Sequence, residues 1–299
     1  MPYFVPFASS WFNLIGSLLI MKTLKRRIMT WLIILFSLYA IYCGLLFFFQ
    51  TKLIFPASMA GQAGNLLPTV DTQVIALRTE QGTTTAWLIP SADASGDTPA
   101  PLAVFFHGNA ELMDHQHAII DLYHSLGVSV LMVEYRGYGH SEGTPSESHI
   151  VADTLEVLEQ VLQRDDVAKD KLVLHGRSIG GGMAAQVALK TKSTAMIVES
   201  TFTSVSGMAM RFGVPPFIVT SPLKSEDAFK QLSLPTLIMH GRRDSIVSGS
   251  HAARLAAAAK DSTVVMFDSD HNDLPNGSEV TLYRNEVEAL LKRAGVLPE

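Results

Sequence analysis

The chain has 299 residues with 28 acidic and 23 basic side chains, which gives a formal net charge of −5 at pH 7. All of the acidic residues lie beyond residue 70, so the main part of the chain is acidic and lacks the clustered Lys and Arg of nucleic-acid-binding proteins. We therefore expect no nucleic-acid partner. The length beyond the first fifty residues suffices for one α/β domain with a sizeable core.

An uncharged apolar stretch near the N-terminus predicts a membrane anchor. Residues 28–50 carry no charged side chain, and 23 residues in a helix are enough to cross a bilayer core of about 30 Å. Four basic residues precede this anchor segment and favour a cytoplasmic N-terminus, with the main domain on the other side of the membrane. The sequence therefore predicts a single-pass membrane protein, with an extension at 1–27, the anchor segment at 28–50 and one domain at 51–299.

Two alternatives for the N-terminus stay open at this point. A cleaved signal peptide also begins with a basic region, and residues 58–60 (Ser-Met-Ala) have the form of a cleavage site. Residues 1–20 are apolar as well. We expect Met21 to be the initiator, but a second span within residues 1–20 would reverse the topology.

Strand and helix patterns alternate after residue 70. Residues 73–77 and 84–89 flank a turn and predict an antiparallel hairpin. Amphipathic patterns predict helices, for example over 150–162 and 279–292. Six apolar runs show no polar alternation, as in strands buried on both faces, at 102–106, 129–133, 172–174, 195–198, 236–239 and 263–267. The predicted fold class is α/β, with a mostly parallel eight-stranded sheet and helices on both faces.

The connection at 199–235 is too long for a simple crossover. We expect a short cap, inserted at about 202–231, over the carboxyl ends of the strands, where ligands bind in open α/β sheets. Its apolar side chains either line an acyl pocket or pack into a cluster of their own. These side chains are Met208, Met210, Phe212, Phe217 and Ile218.

The strongest chemical signal is a G-x-S-x-G pattern at 176–180, directly after the apolar run 172–174. At such a strand-to-helix turn the Ser178 hydroxyl is exposed above the sheet, and the two glycines avoid Cβ collisions. Serine is a poor nucleophile unless a neighbouring base takes its proton. The pattern therefore predicts a histidine and an acid elsewhere in the chain.

Asp244 and His271 fit these roles by their order and placement. In this architecture the acid and then the histidine follow the serine along the chain. Asp244 follows the run 236–239 and His271 follows 263–267, so both lie at the sheet edge that carries Ser178. His271 is the predicted base, and Asp244 is predicted to orient and stabilise its imidazole. Other acids near the histidine are alternatives to Asp244, namely Asp268, Asp270 and Asp273.

Two backbone N–H groups are the expected donors to the oxyanion. They belong to Ile179, which follows the nucleophile, and to Asn109, in the loop after the first parallel strand. The side chain of His107 in the same loop is expected to be structural. His115 and His117 lack a third ligand at zinc spacing, and no phosphate-binding loop is present, so we predict no metal and no cofactor.

Taken together, these motifs resemble the α/β-hydrolase superfamily, and within it the membrane-anchored Bem46-like branch related to acyl-protein thioesterases and serine-aminopeptidase-type hydrolases. The resemblance implies an α/β-hydrolase fold with a Ser178, Asp244 and His271 triad. It covers the chain from about residue 50 onward. The matching stretches are QTKLIFP at 50–56, HGNA at 107–110, EYRGYGHSEGTPS at 134–146, GRSIGG at 176–181, ESTFTS at 199–204 and HGRRDSIV at 240–247.

The sequence departs from the family pattern at three places. Glu111 stands where the family usually has a glycine, Ser248 replaces a common proline, and the cap is short. These changes affect the oxyanion loop and the acyl pocket rather than the triad. The predicted function is a membrane-anchored serine hydrolase that cleaves esters or thioesters of small acyl, lipid or acylated substrates. An aminopeptidase-like amide hydrolase and a non-catalytic membrane-tethered scaffold are the alternatives.

Overall fold

The computed structural model describes residues 8–64, 67–69 and 71–299, with side chains of the first helix described from residue 17 onward. Two compact units, 1–49 and 50–299, divide the chain. Residues 1–7 of the predicted N-terminal extension lie outside the described residues.

The described part of the first unit, from residue 8 onward, is helical. Helix α1 (Ala8–Ile54) begins before the predicted anchor segment and continues without a break through the basic residues, because Lys, Arg and Leu are good helix formers. Its portion from residue 17 to residue 54 is long and apolar enough to cross a membrane by length and composition. Apolar side chains such as Trp31 and Phe36 are exposed along it.

The second unit contains one eight-stranded sheet in the order β1-β2-β4-β3-β5-β6-β7-β8. β1 pairs antiparallel with β2, and β2 pairs antiparallel with β4, whereas β3 to β8 pair in parallel. The strands are β1 (Gln73–Thr79), β2 (Gly82–Ile89), β3 (Ala100–Phe106), β4 (Ser129–Val133), β5 (Val167–Arg177), β6 (Ala195–Glu199), β7 (Thr236–Gly241) and β8 (Ser262–Phe267). The predicted fold class is confirmed.

Helices cover both faces of this sheet. They are α2 (His117–His124), α3 (Glu147–Val161), α4 (Ile179–Ala188), α5 (Val205–Met210), α6 (Ser225–Gln231), α7 (Ser250–Ala258) and α8 (Val280–Arg293). Leu102 and Val104 of β3 lie in a core shared with α3, α4, α6 and α7, whereas Ala103 and Phe105 lie in a second core shared with α2 and α8. Because both faces are buried, the central strands are mostly apolar and show no alternation of polar and apolar residues, as in β3.

β5 begins five residues before the predicted run at 172. Its first part, from Val167 to Lys171, is partly exposed and polar, which hides it from an apolar pattern search. This part is held as a strand because Val167 pairs with Ala100, across an irregularity in register, at the start of β3. A cross-strand partner, rather than the local sequence, therefore decides where β5 begins.

The predicted cap consists of α5, a short 3-10 helix (Pro216–Ile218) and α6. Two hydrogen bonds help to hold the cap. Leu223 N–H, just before α6, donates to the Glu147 carboxylate of α3 at 2.8 Å, and the Ser204 hydroxyl accepts from Gly207 N–H at the start of α5. Burial raises the pKa of Glu147, although the Leu223 N–H and Lys224 act in the opposite direction.

Candidate active site

Ser178 lies on a strained turn between β5 and α4. Its backbone has φ = 52° and ψ = −115°, in the left-handed half of conformational space that side chains rarely adopt. A Cβ on Gly176 would lie 2.2 Å from the Gly180 carbonyl oxygen, and one on Gly180 would lie 2.1 Å from the carbonyl oxygen of Phe106. Only glycine fits at both places, which is the physical reason for the G-x-S-x-G pattern.

The three residues predicted to act together lie within hydrogen-bond distance of one another. Ser178 Oγ is 3.0 Å from His271 Nε2, and His271 Nδ1 is 2.7 Å from Asp244 Oδ2. Because a carboxylate only accepts, Nδ1 carries a proton, which leaves Nε2 of the neutral ring free to accept from the serine hydroxyl. This tautomer and orientation are those that a general base needs.

Asp244 is held ionised although its side chain is inaccessible to solvent. Burial acts to raise the pKa of this carboxyl, but the hydrogen bond from His271 and the N–H groups of Val247 and Ile246 more than offset it, so the pKa is lowered. Oδ1 accepts from Val247 N–H at 2.7 Å and from Ile246 N–H at 3.0 Å. His240 Nε2 lies 3.3 Å from Oδ2. The carboxylate is therefore fixed from several sides.

His240 is a residue whose role the sequence reasoning missed. Its Nε2 donates to the Val247 carbonyl oxygen at 2.7 Å, across the loop that carries Asp244. Burial lowers the pKa of His240, which keeps the ring neutral beside the pair formed by Asp244 and His271. Its place four residues before Asp244 in the quoted HGRRDSIV stretch was the available signal.

Asp270 joins the acid loop to the histidine loop. Its Oδ1 accepts from Ser245 N–H at 2.8 Å and from His271 N–H at 2.7 Å. These backbone bonds lower the pKa of Asp270. Asp270 therefore contacts the backbone of His271, not its ring. Asp268 is paired with Arg243 and Asp273 accepts from Asp270 N–H, so of these acids only Asp244 contacts the imidazole.

The loop after β3 packs against the start of α4. A Cβ on Gly180 would also lie 2.7 Å from the His107 carbonyl oxygen, so the two segments touch. Ile179 is the first residue of α4, where N–H groups have no partner within the helix, and Asn109 is exposed in the loop. Their two N–H groups remain the predicted oxyanion donors.

His107 is engaged in structural bonds. Nδ1 lies 2.9 Å from the Gly108 carbonyl oxygen and Nε2 lies 2.8 Å from the Glu134 carboxylate. Both ring nitrogens of His107 are therefore occupied by hydrogen-bond partners. Burial acts to lower the pKa of His107, but the charge and hydrogen bond of Glu134 outweigh it and the pKa is raised. With both ring nitrogens engaged in buried hydrogen bonds, His107 is not available as a second base.

A buried ionic network lies beneath the nucleophile. The Glu199 carboxylate at the end of β6 accepts from His175 and Tyr283 at 2.5 Å each, and from Arg177 Nε at 2.9 Å. Burial acts to raise the pKa of Glu199, but Arg177 and His175 lower it to about 2. Ser178 N–H donates to the Glu199 carbonyl oxygen at 2.8 Å, so this network fixes the backbone of the turn.

The cap does not use its apolar side chains as the sequence suggested. Met208 packs on the core, but Met210, Phe212 and Phe217 are exposed. These three side chains therefore neither line an acyl pocket nor pack into a cluster of their own. The turn at Gly213, with φ = 72°, and the following prolines give this segment a conformation of its own.

A cavity of about 430 Å³ lies elsewhere, between the cap and helices α3 and α4. It is lined by Glu147, Ser148, Val151, Ala152, Leu155, Gln186, Lys190, Thr220 and Pro222. None of the residues of the catalytic prediction lines it. Among residues 8–64, 67–69 and 71–299, no cluster of three His, Cys, Asp or Glu residues is arranged to hold a metal ion.

Comparison with known proteins identifies the family. The fission-yeast protein bem46 (Schizosaccharomyces pombe) is 31% identical over 219 residues, which cover 68% of this chain and 73% of that one. The chain belongs to the Bem46-like branch of the α/β hydrolases. YfhR of Salmonella typhi is 30% identical over 216 residues, covering 67% of this chain and 74% of that one. A family model described as serine aminopeptidase, S33, matches residues 97–221 of this hydrolase.

Solved esterases share the fold. Esterase 2 of Thermogutta terrifontis, solved after reaction with tabun, aligns with a TM-score of 0.63 at 17% identity, covering 77% of this chain and 97% of that one. The Pyrococcus furiosus esterase Pf2001 aligns with a TM-score of 0.62 at 17% identity, covering 77% and 94%. At 17% identity, these similarities show a shared fold of the hydrolase domain.

Proposed function

We propose that this hydrolase is a membrane-anchored serine hydrolase that cleaves carboxylic esters or thioesters through an acyl-serine intermediate. The observation that carries the proposal is the chain of contacts from Ser178 Oγ through His271 to the buried Asp244 carboxylate, at 3.0 and 2.7 Å. Serine, imidazole and carboxylate within these distances are what nucleophilic catalysis by serine requires.

The reaction proceeds in two halves. Ser178 Oγ attacks the substrate carbonyl carbon while its proton passes to His271 Nε2, and the N–H groups of Ile179 and Asn109 stabilise the oxyanion. The carbon–oxygen or carbon–sulfur bond then breaks, and the leaving alcohol or thiol takes the proton from His271. Water next attacks the acyl-serine, with His271 again as base, and releases the carboxylic acid and free Ser178.

The name of the matching family model favours amide cleavage as a second candidate. An aminopeptidase needs an acidic side chain to hold the free amine of its substrate. Glu111, in the oxyanion loop, is already engaged: it accepts from Gly108 N–H at 3.1 Å and from Gln116 at 3.0 Å, and it pairs with Arg177 at 3.8 Å. These contacts make Glu111 a poor amine site, so we prefer ester or thioester cleavage.

Labelling with a fluorophosphonate probe tests the nucleophile. We expect the wild-type chain to be labelled and Ser178→Ala not to be, whereas Ser248→Ala, at an exposed loop serine, is labelled like the wild type. Thermogutta esterase 2 has been solved phosphorylated by paraoxon, so an organophosphorus probe suits this fold. Equal labelling of Ser178→Ala would reject the assignment, and absent labelling of the wild type would favour the non-catalytic scaffold.

Substrate preference is tested with p-nitrophenyl esters of increasing chain length, a thioester and an aminoacyl amide. We expect turnover of the esters or the thioester that disappears in Ser178→Ala. Turnover of the amide alone would favour the aminopeptidase alternative.

The proposed anchor is residues 28–50, with the hydrolase domain on the non-cytoplasmic side because four basic residues precede this segment. A reporter fused to the C-terminus, active only outside the cytoplasm, tests the topology. Activity only in the cytoplasm would contradict the proposed side. Release of the domain into the soluble fraction, with a shortened N-terminus, would favour a cleaved signal peptide.

A further inference from the structure

Three apolar side chains of the cap face outward and form what we call the outer cap patch, defined as Met210, Phe212 and Phe217. Their exposed fractions are 57%, 74% and 87%. The chain has eight phenylalanines beyond residue 50, and the other six are buried. Because burial of a Phe side chain is favourable, two exposed phenylalanines in one short segment indicate an interaction surface.

The charge around the outer cap patch differs from that of the rest of the domain. Residues 200–225 contain no acidic side chain, and both of their basic residues, Arg211 and Lys224, are exposed. The domain as a whole is acidic, since all 28 Asp and Glu lie beyond residue 70. Exposed apolar side chains flanked by Lys and Arg match the chemistry of a lipid surface with anionic headgroups.

Gln50, the first residue of the hydrolase domain, is hydrogen-bonded to the cap. Its Nε2 donates to the Ile218 carbonyl oxygen at 3.1 Å, and its Oε1 accepts from Thr220 N–H at 2.8 Å. Both bonds lie within the domain, which begins at Gln50. Ile218 directly follows Phe217 in the chain, so the backbone next to the patch is held at Gln50.

Gln50 is also the last residue of the uncharged segment 28–50. At 1.5 Å per residue, 23 helical residues extend about 35 Å, slightly more than a bilayer core of about 30 Å. If this segment spans the membrane, Gln50 lies at the boundary between lipid and water, with the charged Lys52 just beyond it. The cap residues bonded to Gln50 then lie at the same boundary.

We propose that the outer cap patch docks on the lipid bilayer that the anchor segment crosses. The proposal rests on the proposed function, because it needs the anchor to be membrane-embedded. The cap begins next to the nucleophile, since the Thr201 hydroxyl donates to the Ser178 carbonyl oxygen at 2.7 Å. Docking therefore holds the candidate site close to the lipid surface and favours substrates whose acyl chains reside in the membrane.

Site-specific labelling of the full chain tests this proposal. Cys43 is the only cysteine, so Cys43→Ser gives a background in which single labelling sites are introduced. An NBD fluorophore is attached at Phe217→Cys, at Phe36→Cys in the anchor and at Val280→Cys. The exposed fractions at these sites are 87%, 72% and 53%. Each variant is reconstituted at one chain per nanodisc, which excludes a second copy, with and without spin-labelled lipids that quench NBD on contact.

We expect the lipid quencher to reduce the emission at position 217 by a fraction comparable to that at position 36, and to leave position 280 unchanged. Fluorophosphonate labelling of each variant shows that the domain is folded. Replacing Arg211 and Lys224 by Glu is expected to reduce the quenching at position 217 in anionic nanodiscs, without changing it at position 36.

Three outcomes overturn the proposal and differ in what they say of the anchor. If the lipid quencher reduces the emission at position 36 but not at positions 217 and 280, the anchor is supported and docking of the cap is rejected. No quenching at position 36 rejects the anchor, and docking with it. Shielding of position 217 from aqueous iodide without lipid quenching shows that protein, rather than lipid, covers the patch.

Discussion

Glu199→Gln is the substitution for which the structure gives the clearest energetic expectation. The side chain keeps its shape but loses the charge that Arg177, His175 and Tyr283 surround. Glu199 is 1% exposed, so water cannot replace that charge. The substitution therefore removes the nearer of the two carboxylates that pair with the Arg177 guanidinium and leaves Glu111, at 3.8 Å.

Two arguments give the approximate size of the loss in stability. The pKa of Glu199 is about 2 in the folded chain against an ordinary 4.5. At about 1.4 kcal/mol per pH unit, this difference corresponds to roughly 3 kcal/mol of folding free energy at neutral pH. Removing one partner of a buried ion pair typically costs about 3–5 kcal/mol. We expect Glu199→Gln to lower the free energy of unfolding by about 3 kcal/mol near pH 7.

The same reasoning fixes the pH dependence. Because the folded pKa lies below the ordinary value, the stabilisation is complete above about pH 4.5 and is lost as the pH falls towards 2. The difference between wild type and Glu199→Gln should therefore shrink between these limits. Urea unfolding in detergent measures this difference in the free energy of unfolding. It is followed by the emission of the buried Trp87, in a background with Trp11 and Trp31 replaced by Phe.

Glu156→Gln is the matched control, since Glu156 is exposed on α3. It should stay within about 0.5 kcal/mol of the wild type at every pH. Our account of the network would be refuted if Glu199→Gln matched this control near pH 7. It would also be refuted if the deficit of Glu199→Gln did not narrow in acid.

Two further predictions concern the candidate site. Gly180→Ala places a Cβ 2.1 Å from a backbone oxygen of Phe106 and should destabilise the domain by at least about 1–3 kcal/mol in the same unfolding assay. Gly277→Ala, which meets nothing within 4 Å, should be nearly neutral, and equal stability of the two variants would contradict the packing argument. Asp244→Asn should lower kcat on a p-nitrophenyl ester about 10⁴-fold, because its amide favours the wrong imidazole tautomer. Asp270→Asn should lower kcat less than Asp244→Asn does, since an amide oxygen still accepts from the backbone N–H groups. An equal loss of kcat would assign the orienting role to both acids.

Local patterns in the sequence predicted the features that depend on residues close together in the chain. The sheet could be recognised because strands buried on both faces form nearly continuous apolar runs, as in β3 and β4. The turn at Ser178 could be recognised because two close backbone approaches permit only glycine. Asp244 and His271 could be proposed because carboxyl ends of parallel strands meet at one edge.

Other features depend on partners that are distant in the chain. The start of β5 depends on pairing with Ala100, and the bonds of Gln50 to Ile218 and Thr220 link residues about 170 positions apart. No periodicity in the sequence marks such pairs. For the same reason the outward-facing aromatics of the cap could not be separated from pocket-lining ones.

The amino-acid sequence by itself determined the order of strands and helices, the strained turn and the residue types available for chemistry, because backbone sterics and hydrophobic periodicity act over a few residues. Only the tertiary structure decided that Ser178 and His271, 93 residues apart, come to 3.0 Å, and that Asp244 rather than Asp270 faces the imidazole. It also decided that His240 and Glu199 hold these groups in place. These distant residues come together only because the whole sheet and its loops pack in one arrangement.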